Sequence, residues 1–195
     1  MSNSRVPRGD TARETQPRSR RPGSGTWLVA KGPVVMFVLK FTAFSAALYA
    51  MSLLPAWDGI LSHWLQWNAR IAGSLVNLMG GQCHVSGDSI WSASYAVTVS
   101  PECSALEYAG FLSAALLSFP SPFRCKIAGI LAGVAILVIL NLVRIASLYW
   151  IGVRFAASFA AVHVTVWPGA LVVVTLLICV CWLRWVTRKN ETDPV

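Results

Sequence analysis

The sequence predicts an all-α membrane protein: a bundle of about four transmembrane helices, with an outer amphipathic helix and a small β-hairpin. Three observations carry that expectation. Of the 195 residues, 55% are hydrophobic and 12% charged, at a mean hydropathy of +0.59; soluble domains of this size rarely combine so much apolar surface with so few charges. Four apolar runs approach the roughly 20 residues a helix needs to cross a bilayer. The net charge of +8 is gathered at the ends of those runs: seven of the sixteen Lys and Arg residues (Arg5, Arg8, Arg13, Arg18, Arg20, Arg21, Lys31) precede the first, and Arg184, Arg188 and Lys189 follow the last. Basic residues so placed set membrane topology, and they imply no nucleic-acid partner.

Residues 1–26, rich in Arg, Ser, Pro, Gly and Thr, cannot bury enough apolar surface to fold and read as a disordered basic cytoplasmic tail. One transmembrane domain over 27–190 follows, and 191–195 form a short C-terminal tail. Asp10 and Glu14 interrupt the acid-poor pattern of a transit peptide, and the first apolar run is too long for a signal-peptide core, so it is expected to remain as an anchor. That first span covers 33–54, with Lys40 reaching toward the basic side.

Between 57 and 79, Trp64, Trp67, Ile71, Leu75 and Leu78 recur near helical spacing, broken by Asp58, Gln66, Asn68, Arg70 and Asn77. The pattern predicts an amphipathic helix at the outer interface, where tryptophan is favoured, with His63 on its polar face. A fifth span here would carry the C-terminal basic cluster outside. After Gly80-Gly81, segments 83–86 and 90–99 flank Gly87-Asp88, and Tyr95, Val97 and Val99 alternate, which predicts the hairpin. The second span is 103–119, ended by Phe119-Pro120-Ser121-Pro122. The third is 127–150 and the fourth 163–186, with Pro168 kinking its first turns.

The short basic segments orient these spans. With the Arg-rich tail inside, the turn carrying Arg124 and Lys126 and the cluster Arg184, Arg188 and Lys189 also fall inside, whereas 55–102 and 151–162 hold only Arg70 and Arg154. Both termini are therefore expected in the cytoplasm.

Arg144 lies inside the third span, where an ionised side chain is expensive and by default functional. It sits six residues before Trp150, about 9 Å below the outer end at 1.5 Å per residue. Cys103 and His163 begin spans two and four on the same side, so all three fall within one outer layer. A cysteine at a helix N-terminus beside a cation gains thiolate character. A histidine in reach takes the thiol proton and returns it to a leaving amine, and an arginine where water is scarce stabilises an oxyanion. Cys103, His163 and Arg144 thus fill nucleophile, acid/base and electrophile, while Glu102 and Glu107 are the nearest carboxylates by sequence. Cys125, Cys179 and Cys181 read as packing residues, and the five cysteines suggest no disulfide framework or zinc ribbon.

Three segments, Pro101-Glu102-Cys103-Ser104-Ala105-Leu106-Glu107, Asn141-Leu142-Val143-Arg144-Ile145-Ala146-Ser147-Leu148 and Val162-His163-Val164-Thr165-Val166-Trp167, together resemble the exosortase/archaeosortase family of membrane cysteine transpeptidases. The likeness runs from Gln82 to Trp185 and includes the Phe119-Pro120 turn before Arg124 and Lys126; its layout is most similar to the short single-domain exosortases. The resemblance implies a bacterial cytoplasmic-membrane enzyme with its active site near the outer face. Its substrates would be exported proteins bearing a C-terminal motif, a transmembrane helix and a basic cluster, cleaved through a thioester on Cys103 and passed to a cell-envelope acceptor. Arg144 and His163 match the family's essential pair, and no cofactor is implied. In one departure, Ala105 stands where the family usually has glycine, whose backbone freedom alanine lacks.

Two other classes fit parts of the pattern. A membrane thiol-disulfide oxidoreductase would work through a Cys83–Cys103 bond, although no Cys-x-x-Cys pair lies on the outer side. A non-enzymatic assembly subunit would use Arg144 to bind membrane lipid head groups. A metal site built from Cys83, His84, Cys103 and His163 is a further alternative, although adjacent ligands are a poor signal.

Overall fold

The computed structural model describes residues 24–93 and 95–192, with side chains over 32–93 and 95–189. Most of the predicted N-terminal tail, Ser94 and the end of the C-terminal tail lie outside the described residues. The chain divides into two units, Met1–Val35 and Met36–Val195, the first contributing only the opening turns of helix α1, Ser24–Ser52.

Within the second unit, α2 spans Pro55–Leu78 and a three-stranded antiparallel sheet follows: β1 His84–Ser86, β2 Ser89–Trp91 and β3 Ala96–Thr98. A 3-10 turn over Pro101–Cys103 leads to α3, Leu106–Ser118, and α4 is Phe123–Arg154. The last helical stretch comprises α5, Ala156–Ala161, a π-helical turn over Val162–Val166 and α6, Trp167–Thr192.

Among the described residues, three helices are long and apolar enough to span a membrane: Gly32–Ser52, Phe123–Arg154 and Ala156–Lys189. Their outward faces stay apolar, with Leu131, Ile139 and Leu176 each at least 60% exposed, as lipid-facing surface requires. Helix α3 is the short one: thirteen residues rise about 20 Å, less than a bilayer core.

Helix α4 organises two cores. Its first half packs Cys125 and Leu137 with Leu112, Leu116, Leu171, Trp182 and Val186. Gly129 and Gly133 let the neighbouring helices close in, since a Cβ at either would collide with Trp182 or Leu112; small residues at such crossings are common in membrane bundles. The second half of α4 packs Leu142, Ile145, Ala146 and Tyr149 with Leu65, Ala69, Ala72 and Val76 of α2 and Ile90 of the sheet.

Several sequence expectations shift. The hairpin's second arm divides, so the sheet is a meander in the order β1-β2-β3. The amphipathic helix buries Leu65, Asn68, Ala69, Ala72, Gly73 and Val76, with Ile71 and Leu75 packed beside them, whereas Leu78 is 84% exposed; its inner face combines large apolar residues with small ones that admit α4 and the sheet. The predicted outer loop 151–162 shrinks to Phe155 between two helices, because the segment's Ala-rich composition favours helix. His163 therefore stands seven residues inside a helix that begins at Ala156, not at its first residue. The predicted second span starts later, at Leu106, because Ala105 at φ 57° separates Cys103 from α3.

Candidate active site

Cys103 closes a turn that the backbone builds for itself. Pro101 follows an extended Ser100 and fixes the first φ angle; the amide of Cys103 donates to Ser100 O at 2.8 Å and that of Ser104 to Pro101 O at 3.0 Å. Ala105 then swings into the left-handed region, the one non-glycine residue to do so among those described. Its carbonyl accepts the first bond of α3 from Ala109 at 3.0 Å. Glycine reaches such angles without strain, whereas alanine does so at a cost.

Three side chains hold three consecutive carbonyls of this turn. Arg144 Nη1 donates to Glu102 O at 3.2 Å, Asn141 Nδ2 to Cys103 O at 2.8 Å and Trp64 Nε1 to Ser104 O at 3.1 Å. The donors are tied to one another: Asn141 Nδ2 also approaches Asn68 Oδ1 at 3.3 Å, and Asn68 Nδ2 donates to Trp64 O at 2.8 Å. Asn68 and Asn141 are fully buried, where an unpaired amide is costly and a paired one orders its surroundings.

Arg144 is 2% exposed, its Nε has no partner, and it forms no ion pair among the described residues. A buried guanidinium outside any ion pair leaves positive potential on its surroundings. It lies ten residues before the end of α4 at Arg154, about 15 Å along the helix and deeper than the sequence suggested.

His163 meets the cysteine from the opposite side. Its Nε2 stands 3.0 Å from Cys103 Sγ, hydrogen-bonding distance in either direction of donation. The ring stacks on Phe159, with centroids 5.6 Å apart at 21°. The π-helical turn carrying it directly precedes Pro168: the amide of Trp167 bonds Val162 O, one residue further back than in an α-helix. Such turns are rare within α-helices and frequent at functional sites.

A cavity of about 260 Å³ opens on the pair, lined by Cys103, His163, Ile145, Leu148, Phe159 and the stretch Tyr95–Val99. Glu102 is exposed, and its carboxyl is held below the usual range, chiefly by a hydrogen bond from Ser100. His163 and Arg144 add smaller electrostatic effects of the same sign, yet neither Glu102 nor Glu107 hydrogen-bonds the imidazole among the described residues.

The structure thus brings Cys103 and His163 into contact and sets Arg144 one carbonyl away, against the backbone of Glu102. Cys83 points elsewhere, its Sγ 3.5 Å from Gly73 O, and all five cysteines are free. His84 lies against Trp91, ring centroids 5.0 Å apart. No group of three or more His, Cys, Asp or Glu among the described residues is placed to hold a metal ion. Trp64, Asn68 and Asn141 escaped the sequence reading as site residues, although Trp64 and Asn68, and Asn141 and Arg144, stand one helical turn apart and so share a face.

The site is thus a cysteine–histidine pair at the wall of a cavity in an apolar helix bundle. Residues 24–183 match the family model of transmembrane exosortases, and the chain belongs to that family: it is a multi-pass membrane protease/transpeptidase acting on exported proteins. No curated protein and no solved structure matches the chain.

Proposed function

We propose that the protein cleaves the C-terminal sorting signals of exported proteins by thioester chemistry at Cys103 and hands the trimmed protein to a cell-envelope acceptor. The observation that carries this reading is the 3.0 Å approach of Cys103 Sγ to His163 Nε2 at the wall of the cavity. His163 takes the thiol proton, and the sulfur attacks the carbonyl carbon of the scissile bond. The tetrahedral oxyanion forms in the field of Arg144, buried and without a counter-ion, where charge acts strongly. Collapse breaks the C–N bond as the imidazolium protonates the leaving amine, and the tail departs with its helix and basic cluster. An acceptor nucleophile then attacks the thioester carbonyl, regenerating the thiol.

In this reading both termini are cytoplasmic, the site faces the outer side of the bacterial cytoplasmic membrane, and one catalytic domain covers 27–190. The basic flanks and the turn carrying Arg124 and Lys126 support that orientation. The test is tail release from a co-expressed exported protein carrying a C-terminal motif, helix and basic cluster, trimmed by the wild type. Cys103→Ala should abolish trimming while the protein still inserts; continued trimming by that variant refutes the cysteine mechanism.

A further inference from the structure

Strand β3 is the outer strand of the meander: it pairs with β2 alone. The register Ser89↔Thr98, Ile90↔Val97 and Trp91↔Ala96, with bonds from Ser92 N to Tyr95 O at 2.8 Å and Val99 N to Asp88 O at 2.9 Å, fixes which groups face β2. Opposed residues of an antiparallel pair alternate between bonded and non-bonded. Tyr95, Val97 and Val99 therefore turn their N–H and C=O toward β2, and Ala96 and Thr98 turn theirs away. Consistent with a non-bonded pair, Ser89 and Thr98 meet through their hydroxyls at 3.0 Å. No hydrogen bond to the backbone of Ala96 or Thr98 from the outer side is found among the described residues.

That free edge borders the cavity. All five residues Tyr95–Val99 line it, together with Cys103 and His163. One face of a strand contributes every second residue to a neighbouring space, so an unbroken run of five means that the strand meets the cavity edge-on. Nothing on Ala96–Val99 blocks addition of a strand: there is no proline, charge or bulge of the kind that protects exposed edges.

We propose that the exported substrate docks by β-augmentation, its extended segment pairing with the backbone of Ala96 and Thr98 and thereby laying the scissile bond across Cys103. The inference rests on the thioester reading above and adds the substrate's conformation. Main-chain pairing of this kind gives affinity with little side-chain demand, and pockets beside alternate positions add selectivity. The Tyr95 ring, edge-on to Tyr149 and Phe159 at 6.2 Å each, stands at one end of the strand to receive such a side chain.

Ala96→Pro removes only an outward N–H and leaves the β2 ladder whole, as edge prolines do. Trimming of the co-expressed substrate should fall about tenfold or more, the worth of one lost hydrogen bond and a displaced strand, with iodoacetamide still alkylating Cys103 at the wild-type rate. Undiminished trimming overturns the proposal while leaving the cysteine mechanism standing; trimming that survives Cys103→Ala removes the mechanism itself. A second arm does not depend on how Ala96→Pro folds. In Cys103→Ala protein carrying Ala96→Cys, single cysteines placed along the segment before the substrate's hydrophobic helix are oxidised to disulfides. Cross-linking at alternate positions is expected; a three-to-four-residue period, or none at all, overturns the extended docking mode.

Discussion

The side-chain amide of Asn141 lies 2.8 Å from the carbonyl oxygen of Cys103, joining the middle of α4 to the residue that carries the thiol. With Arg144 on Glu102 O and Trp64 on Ser104 O, it fixes the turn from two helices at once. The position of the sulfur is thus decided by backbone carbonyls held from α2 and α4, independently of the thiol's own contact with His163.

Replacing Asn141 with leucine leaves the Cys103 carbonyl and the Asn68 amide oxygen without a donor in a fully buried place. The expected loss is about 2–3 kcal/mol of stability, the desolvation cost of orphaned polar groups. Thermal unfolding in detergent measures it, and a double-mutant cycle with Asn68→Ala should return a coupling of about 0.5 kcal/mol or more. Simple additivity would show that the two amides act separately.

Arg144→Lys keeps the charge but loses the planar fork that serves the Glu102 carbonyl while leaving Nε free. Tail release should fall about 100-fold or more, the scale of losing an oxyanion stabiliser. A mild effect would favour a head-group-binding role over a catalytic one.

At Ala105, the left-handed backbone penalises any Cβ by about 1–2 kcal/mol. Glycine relieves that strain but gives up a buried methyl worth about 0.8 kcal/mol and gains unfolded-state freedom. Ala105→Gly should therefore stay within about 1 kcal/mol of wild type with trimming intact, whereas Ala105→Val, β-branched at the same angles, should collapse the turn and trimming together. Unfolding midpoints beside substrate trimming distinguish the two.

Burial raises the pKa of the Cys83 thiol. Because the folded state holds that proton more tightly, the associated stability is complete below the ordinary thiol pKa and is lost as pH rises above it. In Cys103→Ala protein, alkylation of Cys83 should stay slow at neutral pH and quicken only in strongly alkaline buffer. Fast neutral-pH labelling would reveal an accessible thiol of the kind a redox enzyme needs.

Much of this molecule was legible in its sequence, and the exceptions are physical. Arg144, Cys103 and His163 stood out because charge, thiol and imidazole are conspicuous in apolar surroundings. The inner face of α2 was only partly legible: Ile71 and Leu75 do pack on the core, but Ala69, Ala72 and Gly73 are buried beside them, and their value is closeness of approach, which hydrophobic periodicity does not register. Asn68 looked like a solvated break in that pattern, since its buried partner Asn141 lies 73 residues away. Helix ends moved for a similar reason: Phe155 and Ala105 change the chain's direction without the glycine or proline that usually announces it. Ala105 was nonetheless marked, as standing where the resemblance implies glycine, and its φ of 57° is the one positive value outside glycine among the described residues.

In the proposed mechanism Cys103 carries the substrate covalently. Mass spectrometry of the Cys103 peptide, from membranes quenched in acid during processing of the tripartite substrate, tests it most directly. The expected species is the substrate's new C-terminus joined to Cys103 through a thioester that hydroxylamine releases. Trimmed substrate accumulating with Cys103 always free, and equally in Cys103→Ala membranes, would contradict it.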